Sequence, residues 1–312
     1  MKSLSAFAPI KHCLVVQAGI GISANIFLLF FRIFTLLLDH RHKLVDLITS
    51  HLALVHLIML LVIVFFVSPD LFESLNFQND FKCKVLFFVS RVMRSLSICT
   101  TCLLSTLQAT TISPSTCWLA RLKHKFTNYI IYVFIFLWCL SLSGSTNLIF
   151  NTVASSNVTQ TNLLNINKYC SLSPTSHSIR SVMFTLTTSR DVFFIGIMLL
   201  SSAYMVIFLF RHQRRSQHLH STSLIPRTSP EKRATQTILQ LVSFFVVMYW
   251  VDFIISSSST LLWAYDPVVL DVQGFVGNVY ATVCPLVLIR SDKTIISILQ
   301  NMWRRCHQFL TR

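Results

Sequence analysis

The stretch SPEKRATQTILQLVSFFVVMYWVDFIISSSS, Ser229–Ser259, carries three charges in its first five residues, then an apolar run, then one acid, Asp252. Glu231, Lys232 and Arg233 suit a helix mouth that emerges into water. Asp252 lies about 13 Å from the far end of the run at ~1.5 Å rise per residue. An acid that deep in an apolar span is costly, about 2.5–3.5 kcal/mol on insertion scales, and persists where something answers to it. The segment therefore reads as a membrane helix with a functional or locking group inside.

Composition extends that reading to the whole chain. Hydrophobic residues make up 53% of the 312 and charged residues 12%, with a mean hydropathy of +0.63. That is too apolar for a domain with a solvated surface. Apolar windows long enough to cross about 30 Å of hydrocarbon fall at Ile10–Leu38, Leu44–Val67, Lys84–Ile112, Phe126–Phe150, Ser181–Phe210, Ala234–Trp263 and Leu270–Arg290. They are too long and continuous for barrel strands, and backbone in lipid must satisfy itself, so the fold class is an all-α bundle of seven transmembrane helices.

Basic residues set the orientation, because cytoplasmic loops collect them. The loops after the odd-numbered helices and the C-terminal tail hold sixteen Lys and Arg, from Arg41 and Lys43 to Arg305 and Arg312; the opposite side holds six, Lys2, Lys11, Lys82, Lys84, Lys168 and Arg180. This predicts an extracellular N-terminus, a cytoplasmic tail and a multi-pass protein of the plasma membrane. Topology thus accounts for the net charge of +15 without a nucleic-acid partner. The first apolar run is too long for a cleavable signal and is expected to serve as an uncleaved one. No repeat of two similar halves, as builds many transporters, is visible.

The sequon Asn157-Val158-Thr159 falls in the long loop between helices four and five, on the predicted outer side, and marks Asn157 as a glycosylation site. Of nine cysteines, Cys83 at the outer end of helix three and Cys170 in that loop share the oxidising compartment. A bridge between them would pin the loop over the bundle mouth.

This plan looks like a G-protein-coupled receptor. Asn25 and Trp138 suit positions of the rhodopsin-like class, whereas Leu107-Gln108-Ala109 replaces the acid-Arg-aromatic triplet of helix three, and Pro285 is flanked by Cys284 and Leu288 where that class has Asn and Tyr. The departures match one family. GISAN at Gly21–Asn25, LLLDHR at Leu36–Arg41, HLALVH at His51–His56, STLQA at Ser105–Ala109, YCSLSP at Tyr169–Pro174 and the opening segment together resemble vomeronasal type-1 receptors, in order and along the whole chain. The resemblance implies a pheromone receptor of vomeronasal sensory neurons that activates an inhibitory-type heterotrimeric G protein. Bitter taste receptors share the missing triplet but not these motifs; a channel or transporter is the rival from another class, and it would need a continuous polar lining.

Five ionisable groups fall into one layer of the outer half: Arg91 and Arg94 on helix three, Arg190 and Asp191 on helix five, Asp252 on helix six. Arg91 and Arg94 lie roughly 10–15 Å below the outer end of their helix. Such groups are expected to face the interior and pair. Three arginines against two aspartates leave one positive charge, which favours a small organic ligand with an anionic group, or a steroid-like one. Tyr249 and Phe253, with Phe88, would supply an apolar wall. The same charges also suit a lock that holds helices three, five and six. On the ligand reading, Arg94→Ala abolishes the response while the receptor still reaches the surface.

Nearer the inner side, His51 and His56 read as hydrogen-bonded packing residues, not metal ligands, and His56 stands where the related class has a sodium-linked aspartate, so no such sodium site is expected. No paired acids, Gly-rich phosphate loop or Ser-His-Asp pattern indicates an enzyme, and no cofactor is implied. Residues 1–290 form the receptor domain and 291–312 a cytoplasmic tail, in which Ile295, Ile298, Leu299, Met302, Trp303, Cys306 and Leu310 recur at helical spacing. This predicts an amphipathic helix on inner-leaflet lipid, with Cys306 a candidate for palmitoylation.

Overall fold

A computed structural model describes residues 2–38, 44–68, 79–113, 118–146, 152–154, 164–165, 170–172, 177–219, 230–262, 267–292, 295–297, 300, 303–304 and 308. Asn157 and Cys306 lie outside the described residues, as does the side chain of Cys170.

Seven long helices run through the described residues: α1 Lys2–Leu38, α2 Leu44–Val67, α3 Asn79–Ile112, α4 Trp118–Ser145, α5 His177–Leu219, α6 Pro230–Leu262 and α7 Pro267–Ser291. Five contain the whole of an apolar window read from the sequence; α4 and α6 contain all but the last residues of theirs. Stretches long and apolar enough to cross a membrane occur in α1, α2, α3, α5 and α7, and shorter apolar stretches, Tyr129–Ser145 and Leu239–Ile255, in α4 and α6. The chain is a multi-pass membrane protein. Helix α5 has 43 residues, about 65 Å at ~1.5 Å per residue, and so projects beyond a hydrocarbon layer of about 30 Å. Helix α4 stops at Ser145, short of Phe150. Its last turn, Ser-Gly-Ser, closes with Thr146 N–H donating to Ser143 O at 3.4 Å.

The outward faces are apolar. Phe30 is 69% exposed, Leu37 76% and Leu200 74%, an arrangement suited to lipid and untenable in water. Inside, α3 is the most enclosed helix. Its inner half, SICTTCLLSTLQATT, is small and hydroxylated, which lets neighbours approach and lets side chains bond across helices. Ser95 Oγ meets Ser141 Oγ of α4 at 2.9 Å, and Ser105 Oγ meets Ser201 Oγ of α5 at 2.6 Å. Thr101 Oγ1 meets the Tyr280 hydroxyl of α7 at 3.2 Å. Such bonds contribute on average about 0.6 kcal/mol each in a membrane.

Both histidines of α2 are held in packing networks. Trp138 of α4 donates its indole N–H to His51 Nε2 at 3.0 Å. An indole can only donate, so Nε2 is the unprotonated nitrogen, and Nδ1–H donates to Thr100 Oγ1 at 3.2 Å. His56 Nε2 meets Ser97 Oγ at 2.9 Å and its ring stands edge-on to Tyr280, centroids 5.4 Å apart.

Asn25 explains a kink-prone helix. Pro285 lies inside α7 and has no N–H for the carbonyl four residues earlier. That carbonyl, Ala281 O, accepts Asn25 Nδ2–H at 3.0 Å instead, while the same amide donates to Gly21 O at 2.8 Å. Gly21 makes the approach possible: a Cβ there would lie 2.6 Å from Leu60 Cδ1 and 2.8 Å from Thr282 Oγ1.

Two junctions bracket the bundle. At one end Arg32 of α1 bonds Asp46 of α2 at 2.8 Å and Asp292 after α7 at 3.0 Å. Asp292 Oδ1 also accepts Ile295 N–H at 3.3 Å, capping the helical turn at 295–297. In that tail Ile295 is buried and Trp303 is 74% exposed. At the other end, three short strands form an antiparallel sheet in the order β1 Thr152–Ala154, β3 Cys170–Leu172, β2 Leu164–Asn165, with Ala154 opposite Cys170. Strand β1 packs against α3. Cys83 near the start of α3 is fully buried and disulfide-bonded.

Candidate functional site

Asp252 pairs with an arginine of another helix. Arg94 Nη2 of α3 donates to Asp252 Oδ2 of α6, and the pair is unevenly buried, Arg94 27% exposed at its side chain and Asp252 5%. Its second oxygen, Oδ1, is buried without a hydrogen-bond partner among the described residues. Helix α7 closes on the pair through Gly277, where a Cβ would lie 3.2 Å from Arg94 Nη1 and 3.7 Å from Asp252 Oδ1. Three helices therefore meet at one ion pair.

A cavity of about 30 Å³ adjoins it, lined by Arg94, Asp252, Ser97, Tyr249, Tyr280 and Gly277 and walled by Met59, Ile98, Phe245, Met248 and Val276. A water needs roughly 10–15 Å³ of such space, so the cavity holds water-sized occupants. Organic ligands use pockets of about 300–1,000 Å³.

The other charges are arranged differently. Arg190 Nε and Nη2 donate to Asp191 Oδ1 at 3.0 and 2.8 Å, its neighbour on α5. Its remaining nitrogen, Nη1, is buried without a partner among the described residues and lies 2.7 Å from where a Cβ on Gly144 would stand. Gly144 is in the last turn of α4, where exposed carbonyls make the negative end of the helix dipole. A guanidinium pressed there gains from that field, and glycine leaves it room. Arg190 and Asp191 thus form a unit within α5, turned toward α4.

Arg91 has no carboxylate within 4.0 Å among the described residues. It lies within electrostatic reach of Arg94, Asp191, Arg190 and Tyr249, and Tyr249 in turn is close to Asp191, Arg94, Asp252 and Arg91. Tyr249 stacks on Phe245, centroids 6.4 Å apart.

Of the residues singled out from sequence, Arg94, Tyr249 and Asp252 share the cavity, Arg91 and Asp191 lie close by, and Phe253 packs edge-to-face on half-exposed Trp250 with centroids 5.9 Å apart. Successive helical residues point about 100° apart, so Phe253 leaves the face that Asp252 uses. Ser97, Tyr280 and Gly277 escaped the sequence reading; a glycine of α7 level with the buried acid was the available signal.

Residues 8–301 match the vomeronasal organ pheromone receptor family. The chain is 42% identical over 298 residues to vomeronasal type-1 receptor 45 of Mus musculus, across 96% of this chain and 93% of that one. It is 45% identical over 289 residues to vomeronasal type-1 receptor 90 of Rattus norvegicus, across 93% of each. In three dimensions it is similar to squid rhodopsin, with a TM-score of 0.72 at 15% identity over 97% of this chain and 86% of that one, a likeness of fold.

Proposed function

The chain belongs to the vomeronasal organ pheromone receptor family, and from that premise we infer that it is a pheromone receptor of vomeronasal sensory neurons. It lies in the plasma membrane with its N-terminus outside, takes a small organic ligand in the outer half of the bundle, and activates an inhibitory-type heterotrimeric G protein. A Cys83–Cys170 bridge and a glycan on Asn157 mark the outer face. The bridge is supported by the disulfide at Cys83, the packing of β1 on α3, and the pairing of β1 with the strand that holds Cys170. Residues 291–312 lie along the inner leaflet, with Cys306 the position for an acyl chain.

The observation that carries the mechanism is the tie between α3 and α6. Arg94 and Asp252 hold these helices together beside a cavity far smaller than an organic ligand. The ligand body must therefore sit above the pair or open it. A carboxylate or sulfate competes with Asp252 for a guanidinium, while Arg91 supplies a charge that no carboxylate answers among the described residues. A ligand that binds better to the parted arrangement shifts the population toward it by its differential affinity. At the inner end, Thr237 Oγ1 of α6 donates to Ser291 Oγ of α7 at 2.8 Å, so movement of α6 reaches the cytoplasmic face.

The test is ligand-dependent nucleotide exchange on an inhibitory-type G protein by the reconstituted receptor, comparing anionic steroids, neutral volatiles and amines. Anionic steroids are expected to act. A response confined to amines overturns the charge reading, and ligand-evoked current in cells lacking G proteins supports a channel instead.

A further inference from the structure

We infer that the cavity beside the Arg94–Asp252 pair is a water-binding site, in which an ordered water donates to Asp252 Oδ1 and joins the ion pair to hydrogen-bonded side chains deeper in the bundle. The acceptor is in place. Asp252 is 4% exposed and lines the cavity, and its Oδ1 has no hydrogen-bond partner among the described residues. A buried carboxylate oxygen left without a donor is strongly unfavourable. The cavity measures about 30 Å³. A water needs roughly 10–15 Å³ of such space, so there is room for about two.

A buried water persists where several polar groups meet it, and the hydrogen directions leave the right ones open. Thr101 Oγ1 donates to Ser97 O at 2.8 Å. The 3.2 Å contact between Thr101 and Tyr280 is therefore a donation from the phenol, whose oxygen is left to accept. On α2, His56 Nδ1 is buried without a partner among the described residues. A hydrogen there would be an orphaned donor, so it sits on Nε2 and is given to Ser97 Oγ at 2.9 Å. That leaves the Ser97 hydroxyl hydrogen to donate. Ser97 and Tyr280 both line the cavity with Asp252. A water there accepts from Ser97 and donates to Asp252 and Tyr280, and so ties α6 to α3, to α7 and, through His56, to α2. Arg94 lines the same cavity and repels a cation, which favours water over sodium.

The measurement uses the full-length receptor in nanodiscs with no organic ligand. Brief X-ray radiolysis makes hydroxyl radicals from bound as well as bulk water, and mass spectrometry reads methionine oxidation. Met59 and Met248 wall the cavity, whereas Met198 and Met205 are fully buried on α5 and do not line it. Met59 is expected to oxidise several-fold faster than Met198 and Met205. Gly277→Ser is expected to lower that rate toward theirs: a Cβ at Gly277 stands 3.7 Å from Asp252 Oδ1, so the serine hydroxyl reaches the carboxylate and takes the place of the water. Equal oxidation of the three methionines in the unaltered receptor overturns the proposal, as does an unchanged Met59 rate in Gly277→Ser. Should that variant fail to fold, a structure of the unaltered receptor at a resolution that shows waters decides. A peak about 2.6–3.0 Å from both Asp252 Oδ1 and Tyr280 Oη supports the site. No peak, or a peak lost when potassium replaces sodium, overturns it. The site needs only the closed ion pair and no organic ligand, so its failure leaves the receptor reading standing, and a failed ligand screen leaves the water site standing.

Discussion

Removing Arg94 alone does more than remove a ligand contact. The sequence by itself suggests that Arg94→Ala silences the receptor and leaves its folding intact, but the structure pairs Arg94 with a carboxylate 5% exposed. Asp252 Oδ1 already lacks a partner among the described residues, so losing Arg94 strands the carboxylate. Breaking a buried pair from one side costs about 3–5 kcal/mol. Arg94→Met is expected at the upper end of that range. Asp252→Leu is expected at the lower end, because the Arg94 side chain is 27% exposed and can be partly solvated. The double variant Arg94→Met with Asp252→Leu leaves no charge unpaired, and apolar replacement of such pairs is often neutral or stabilising by about 1–4 kcal/mol. It should fold as well as the unaltered receptor, so that most of the two single costs, about 5 and 3 kcal/mol, is recovered in the double variant. Denaturation of the purified receptor measures all four forms, and surface labelling follows them in cells. If the two single costs simply add in the double variant, the pair is not the tie described here. The folded double variant then tests function cleanly: it should reach the surface and show no response to anionic ligands.

Three further outcomes follow from local geometry. Gly21→Ala should destabilise by about 1–3 kcal/mol, the usual range for overpacking, because its Cβ would lie 2.6 Å from Leu60 Cδ1 and 3.2 Å from the Thr282 backbone; a midpoint equal to that of the parent would show that α1, α2 and α7 do not meet there. His51→Leu strands the Trp138 indole and the Thr100 hydroxyl, at about 1–3 kcal/mol for an unsatisfied buried group. Adding Trp138→Phe should recover part of that loss, and no recovery would count against the bond. Asn157→Gln should abolish a glycosidase-sensitive mobility shift, and absence of any shift in the unaltered receptor would contradict an outer second loop.

The amino-acid sequence alone determined the seven helices, because a segment in lipid must satisfy its own backbone and so declares itself by length and hydropathy. It also determined which residues form the costly layer, since charge in an apolar run needs no neighbours to be visible. It pointed to hydrogen-bonded roles for His51 and His56 and, through a series of long motifs, to the family. Partnership was not legible. Arg94, Arg190 and Arg91 look alike in sequence, and each meets a different fate: one answers to Asp252 across helices, one folds onto Asp191 and the end of α4, and one meets no carboxylate among the described residues. The choice depends on the rotation of each helix about its axis and on which neighbour approaches closely enough, at Gly277 and Gly144 through the absence of a side chain. Those are properties of packing between distant segments, and only the tertiary structure decides them.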